Sequence, residues 1–196
     1  MKLARIILSL CFLVVVNPSQ AQVKYEKEYR IDREQVPDSA LFFINELAFS
    51  KRIKWYKEEG LERTSIEAKT KSKKTKKRYS IEFSKTGAFE DVEIEVDWED
   101  MPRSTQTAIC TYLERTFDKF KIQKIQVQFT GALQPIQAQV KARSVEPSNT
   151  VKTRYELITK VKVKEEFYRM ELLFGEGGNL LQQSRLVSKN MDNLEY

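Results

Sequence analysis

Two stretches of this sequence open alike and close alike, and that parallel limits what the chain can fold into. The first opens with Val36-Pro37-Asp38-Ser39, and Ala40, Phe43, Ile44 and Leu47 follow at i, i+3, i+4 and i+7. The second opens with Met101-Pro102-Arg103-Ser104 and continues with Ile109, Tyr112, Leu113, Phe117 and Phe120. Such spacing lays one apolar stripe along an amphipathic helix. Proline suits a first turn, whose N–H has no intrahelical partner. Asp100 is placed to cap the second helix and complement its dipole. The two openings superpose at an offset of 65, with Pro37, Ser39 and Ile44 falling on Pro102, Ser104 and Ile109.

The closings supply a second landmark. Tyr79-Ser80-Ile81-Glu82-Phe83 leads through three residues to Gly87 and then Ala88-Phe89. Met170-Glu171-Leu172-Leu173-Phe174 leads through three residues to Gly178 and then Asn179-Leu180. Both read as strand, tight turn, strand, with a glycine able to take the positive φ that hairpin connections demand. The offset has grown to 91, so the second copy carries 26 extra residues. Residues 131–152, with Pro135, Pro147, Ser148 and Asn149, are the expected insertion, read as a long loop.

Period-two alternation marks the strands. It is clearest over residues 90–98, where Val92, Ile94, Val96 and Trp98 face one way and Glu93, Glu95 and Asp97 the other. Residues 24–31, 53–57, 125–129, 155–163, 167–174 and 179–187 read similarly. Hairpin-linked strands with one wet face imply antiparallel sheets, each covered on its dry face by a helix. The expected fold class is therefore α+β: two repeated modules, each a helix packed on a roughly four-stranded antiparallel sheet. Residues 22–100 form the first, residues 101–187 the second, and residues 188–196 a polar tail. Whether the two sheets join edge to edge stays open.

Residues 1–21 are set apart from the fold. Lys2 and Arg5 precede an apolar run of 11 residues, 6–16, which gives way to Asn17, Pro18 and Ser19-Gln20-Ala21. This is the order of a secretory signal peptide, with cleavage expected after Ala21. The run is too short to span a bilayer as a helix. Cys11 lies inside the run, where a lipid-modified cysteine would end it. The chain from Gln22 then has 175 residues, a formal charge of +4 and a single cysteine, Cys110. Export without an internal disulfide points to a periplasmic or secreted protein of a bacterial envelope. No later apolar run has transmembrane length.

The residue types present exclude much chemistry. The chain has no histidine, so imidazole-based triads and His-ligated metals are absent. Cys110 sits beside Ile109 on a helix and reads as a packed thiol. Glu93, Glu95 and Asp97 lie about 6.5–7 Å apart along a strand. A calcium site needs six to eight oxygens around one point, so this row reads as a polar sheet face. Nothing splits those carboxylates into an acid and a base. No cofactor and no catalytic residue is expected.

Two sets of residues remain as binding candidates. Residues 69–78 hold seven basic side chains, among them Lys71, Lys73, Lys74, Lys76 and Lys77, and residues 90–100 hold seven acids. The basic run reads as a solvated hairpin loop whose lysines face the acidic strand, a pairing of about 0.2–1 kcal/mol per pair. Its alternative is a grip on an anionic polymer. Nucleic acid is not expected as a partner, because no aromatic is interleaved for base stacking. The second set is aromatic. Trp55 shares a face with Ile53 and reads as core, whereas Tyr56 points the other way. Tyr56, Tyr25 and Tyr29 are the expected contact residues.

The order of Val-Pro-x-x-Ala on a helix, Trp55, a Tyr-x-Ile-Glu-Phe strand, Gly87 and Val-Glu-Ile-Glu-Val resembles exported Bacteroidota proteins of the PepSY-like group. Their tandem modules resemble those of beta-lactamase-inhibitory protein, each a helix on a four-stranded antiparallel sheet. The resemblance covers about residues 36–187. It implies a non-catalytic binding or inhibitory module of the cell envelope. The lone Cys110 departs from that disulfide-stapled inhibitor, and no inhibitor contact residue maps onto this sequence. The expected function is recognition of an envelope protein or peptide; the alternative is electrostatic binding of anionic envelope polymers through residues 69–78.

Overall fold

The computed structural model describes residues 22–24, 26–61 and 63–187. The expected signal peptide, Tyr25 and the expected polar tail lie outside the described residues. The strands are β1 (Gln22–Lys24), β2 (Glu26–Ile31), β3 (Lys54–Gly60), β4 (Thr64–Lys71), β5 (Arg78–Ser84), β6 (Phe89–Glu95), β7 (Lys119–Thr130), β8 (Lys152–Val163), β9 (Glu166–Gly175) and β10 (Leu180–Leu186). The helices are α1 (Asp38–Glu46), α2 (Arg103–Thr116) and α3 (Leu133–Ala142).

One continuous sheet replaces the two expected modules. Strands β2 to β10 pair in chain order, each antiparallel to the next. The expectation of two separate helix-on-sheet units fails at β6 and β7, where Val92 pairs with Phe129 and Ile94 with Val127. These apolar pairs carry the dry face across the midpoint without a break. The first half also holds a strand the alternation did not mark, β4. Its dry face carries only Ile66, Ala68 and Thr70, too little apolar bulk to stand out. Lys69 and Lys71 at the start of the basic run, and Arg78 at its end, are therefore in strands, and only residues 72–77 form the connection.

The sheet also closes on itself. β1 pairs with β10 and β2 with β3, so the two ends of the strand order are one residue apart in the chain. Its edges must curl until they meet. Nine antiparallel strands bring the last back in the direction of the first, which is why β1 joins β10 in parallel. Closure hides most of the edge that an open sheet would present.

The outer face carries the core. From α1, Ala40, Phe43, Ile44 and Leu47 are buried as the stripe requires. Phe43 stacks on Phe89 at 4.8 Å and meets Phe83 edge-on at 5.6 Å. Trp55 is buried beside Phe83, as its face predicts. From α2, Ile109 and Leu113 are buried, and Tyr112 packs on Phe174. Phe120, expected on this helix, belongs to β7. Asp100 does not cap α2. It closes a 3-10 turn by accepting the Asp97 N–H and pairs with Lys77, while Pro102 occupies the N-cap. The segment expected as a long loop contains α3, whose Ile136 and Val140 are fully buried.

Two glycines fix the helices against the sheet. Gly87 has φ +84°, and a Cβ there would lie 2.2 Å from the Ser39 hydroxyl. That hydroxyl donates to the Gly87 carbonyl at 2.9 Å. Gly178 has φ +82°, and a Cβ would lie 2.7 Å from the Ala108 Cβ and 3.0 Å from the Thr105 carbonyl. Gly178→Ala combines an unfavourable φ with a backbone clash and should destabilise the fold by about 2 kcal/mol or more. Urea unfolding checks this, with Gly177→Ala, which meets nothing within 4 Å, as the control.

Candidate functional site

Curling turns the other face of the sheet into a lining. The inner residues alternate with the core residues along each strand, so Glu67 faces inward between Ile66 and Ala68, and Glu93 between Val92 and Ile94. All ten strands contribute to a cavity of about 270 Å³ bordered by eight carboxylates and five cations. It continues into an open cleft of about 760 Å³ whose lining includes Lys69, Arg78, Lys124, Gln126, Arg169 and Ser80.

The register concentrates acids in the middle of this face. Glu67 stands opposite Glu82, and Glu82 opposite Asp91, a row of three carboxylates across β4, β5 and β6. Burial, before any neighbour, pushes the Glu93 carboxyl up to about 7; Glu82 and Glu67 add to the rise, and Lys124 and Lys24 oppose it. Asp91 is raised well above the usual range by burial and then by Glu93 and Glu82, against Arg63. Glu156 is raised well above it by burial, Glu93 and Glu171. The amide of Gln126 donates to Glu93 at 2.7 Å and that of Gln128 to Asp91 at 3.2 Å. Arg63 joins Glu82 at 2.8 Å and Glu90 at 2.7 Å. Lys24 joins Glu171 at 2.7 Å, tying β1 to β9 near the seam.

Glu28, Glu58 and Glu67 place carboxylate oxygens within 4.8 Å of one another, a spacing that suits a cation. The chain supplies one: the Lys69 ammonium pairs with Glu28 and, at 2.8 Å, with Glu67. Burial lowers and the two carboxylates raise the Lys69 affinity for its proton, with a net rise. The calcium row weighed from the sequence is dispersed. Glu93 faces the cavity, Glu95 pairs with Arg78 at 3.4 Å, and Asp97 belongs to the 3-10 turn. Cys110 is half-buried and donates to Glu114 at 3.2 Å; that carboxylate and burial raise the thiol above its ordinary range.

The expected contact residues separate. Tyr56 is on the inner face, opposite Glu67, with the Lys69 ammonium 4.9 Å from its ring. Tyr29 stands opposite Lys57 on the other face, with Lys27 4.4 Å from its ring. Of the basic run, Lys77 pairs with Asp100, while Lys71, Lys73, Lys74 and Lys76 make no ion pair among the described residues. Lys71, Lys73, Lys74 and Lys76 are exposed around a turn in which Lys76 adopts φ +61°. The cations that line the cleft from β7 and β9, Lys124 and Arg169, were not anticipated. They are scattered in the sequence, and only the strand register brings them together.

A carboxyl raised in the folded state binds a proton that the unfolded chain has released. Between the ordinary glutamate range and about pH 7, the folded chain therefore loses stability as pH rises. Glu93→Gln removes this ionisation and keeps an acceptor for Gln126. The difference in stability between variant and wild type should shift in the variant's favour from pH 5 to pH 8, by on the order of 1–3 kcal/mol. Urea unfolding at several pH values checks this, and parallel pH profiles would refute it.

No protein-family model matches the sequence, and no curated protein matches it. Among solved structures, the chain resembles a DUF2874 family protein from Bacteroides ovatus at 10% identity, covering 76% of this chain and 87% of that one with a TM-score of 0.51. It also resembles a BLIP-like protein from Bacteroides fragilis at 15% identity, covering 82% of this chain and 92% of that one with a TM-score of 0.48. Neither neighbour bears a PepSY-like description. The likeness is one of fold.

Proposed function

We propose that this chain is an exported, non-catalytic recognition module that takes a segment of an envelope protein or peptide onto the inner face of its sheet. The observation that carries the reading is the division of the two faces. Large apolar side chains of the outer face are consumed in packing under the helices, whereas the inner face presents charges of both signs around a cleft of about 760 Å³. A polypeptide offers both signs in one segment, and complementary charge gives specificity and speed of encounter. No helix among the described residues is long and apolar enough to cross a membrane. The described part of β1 starts at Gln22, the first residue after the expected cleavage point, so cleavage there would leave every described strand intact.

A second reading has its own support. Lys71, Lys73, Lys74 and Lys76 are exposed and unspent on ion pairs among the described residues, which fits an anionic envelope polymer held at that turn. Attraction of that kind collapses with added salt, whereas a fitted protein interface retains much of its affinity.

A photo-crosslinking residue at Ser80, which lines the cleft, should capture a discrete partner in envelope preparations. The same residue at Phe42, exposed on α1, should not. Capture at neither position, or equally at both, would overturn the inner-face reading. N-terminal sequencing of the protein recovered from its native compartment should begin at Gln22.

A further inference from the structure

The register places like charges opposite one another at one end of the inner face. Lys121 stands opposite Lys160, and Lys160 opposite Arg169, so three cations line up across β7, β8 and β9. In the next row outward, Lys119 stands opposite Lys162. A bulge at Gln123 returns Lys124 to the face of Lys121, since Lys124 meets Ile158 and Lys121 meets Lys160, two residues on. Like charges directly opposite destabilise a sheet. Part of this is offset, since Lys162 pairs with Glu165 at 3.1 Å, Lys124 acts on the Glu93 and Glu156 carboxylates, and Lys160 lies over the Phe167 ring at 4.8 Å; Lys121 and Arg169 make no ion pair among the described residues. Lys124 and Arg169 face the open cleft, with Lys69 and Arg78 across it.

The sign of this face reverses along the strands. On β9, Arg169 is followed inward by Glu171; on β8, Lys160 by Glu156; on β4, Lys69 by Glu67; on β5, Arg78 by Glu82. A uniformly anionic polymer that ran through the cleft would meet the carboxylates a few residues beyond the cations. A polypeptide can change sign where the face does.

We propose that Lys121, Lys160 and Arg169, with Lys124 beside them, form a binding site for an acidic polypeptide segment, whose carboxylates seat on the ladder where the cleft opens. The site names the partner chemistry of the inner-face reading and rests on it. Lysines act as point charges and Arg169 as a fork for one carboxylate. Carboxylates of a bound segment relieve the repulsion among these like charges.

The test is fluorescence anisotropy with a labelled oligoglutamate peptide, its glutamine counterpart and a sulfated oligosaccharide, at low ionic strength. The glutamate peptide should bind and the glutamine peptide should not. The triple variant Lys121→Gln, Lys160→Gln, Arg169→Gln should bind the glutamate peptide about tenfold more weakly or worse. The same variant should unfold at a higher temperature than wild type, because the repulsion is gone; a misfolded variant would do the opposite. Unchanged affinity, equal binding of the glutamine peptide, tighter binding of the sulfated oligosaccharide or a lowered unfolding temperature would each overturn the assignment. A Ser80 cross-link that forms in the triple variant as in wild type leaves the inner-face reading standing while the ladder assignment falls.

Discussion

The meeting of β1 with β10 governs the rest of this molecule. A meander of nine antiparallel strands left open would show two edges and two broad faces. Because one stretch of chain pairs with β10 at its start and with β3 farther on, the sheet must roll, and its two faces become an outside and an inside. The outside can be covered by helices, and α1, α2 and α3 bury Phe43, Ile109 and Ile136 against it. The inside has no helix to cover it among the described residues, and it is made of charge.

That division explains how titratable groups come to lie so close together. In a flat sheet, Glu82, Asp91 and Glu93 would face water and titrate as ordinary carboxylates. Rolled inward, they lose solvent and face one another, and burial becomes the first cause of the raised Asp91, Glu93 and Glu156. The amides of Gln126 and Gln128 and the guanidinium of Arg63 offset part of that cost. Stability here is spent on keeping polar groups in place, a pattern found where proteins trade stability for recognition.

What could be read from the sequence follows from what leaves a periodic trace. The helical stripes over Ala40–Leu47 and Ile109–Phe117 were legible because burial repeats every three or four residues, and Trp55 fell on the core side because alternation assigns it there. The turn glycines were legible because few other residues take their φ. β4 was hidden by small side chains and by a density of lysine that reads as loop. α3 was hidden by the proline and the polar residues around it. The error over two modules came from treating similar local patterns as separate units. Nothing local marks Val92 and Ile94 as partners of Val127 and Phe129. The same holds for the charged row: Lys121 is 39 residues from Lys160, Lys160 is nine from Arg169 across the β8–β9 hairpin, and the register sets all three side by side. Alternation put Tyr56 on the face opposite Trp55, as the register does, but its company there, Glu67 and Lys69, was not visible.

The order of the strands has a further consequence for assembly. Nearly every pairing joins consecutive strands, through tight turns or, at β2–β3, β6–β7 and β7–β8, through connections that carry α1, α2 and α3. The pairing of Gln22 with Ser184 is the exception, since it spans almost the whole described chain. Loop-closure entropy and contact order place such a contact last. Closing the cylinder therefore carries the largest loop-closure cost of any pairing in the sheet, and the Lys24–Glu171 ion pair lies beside that closure.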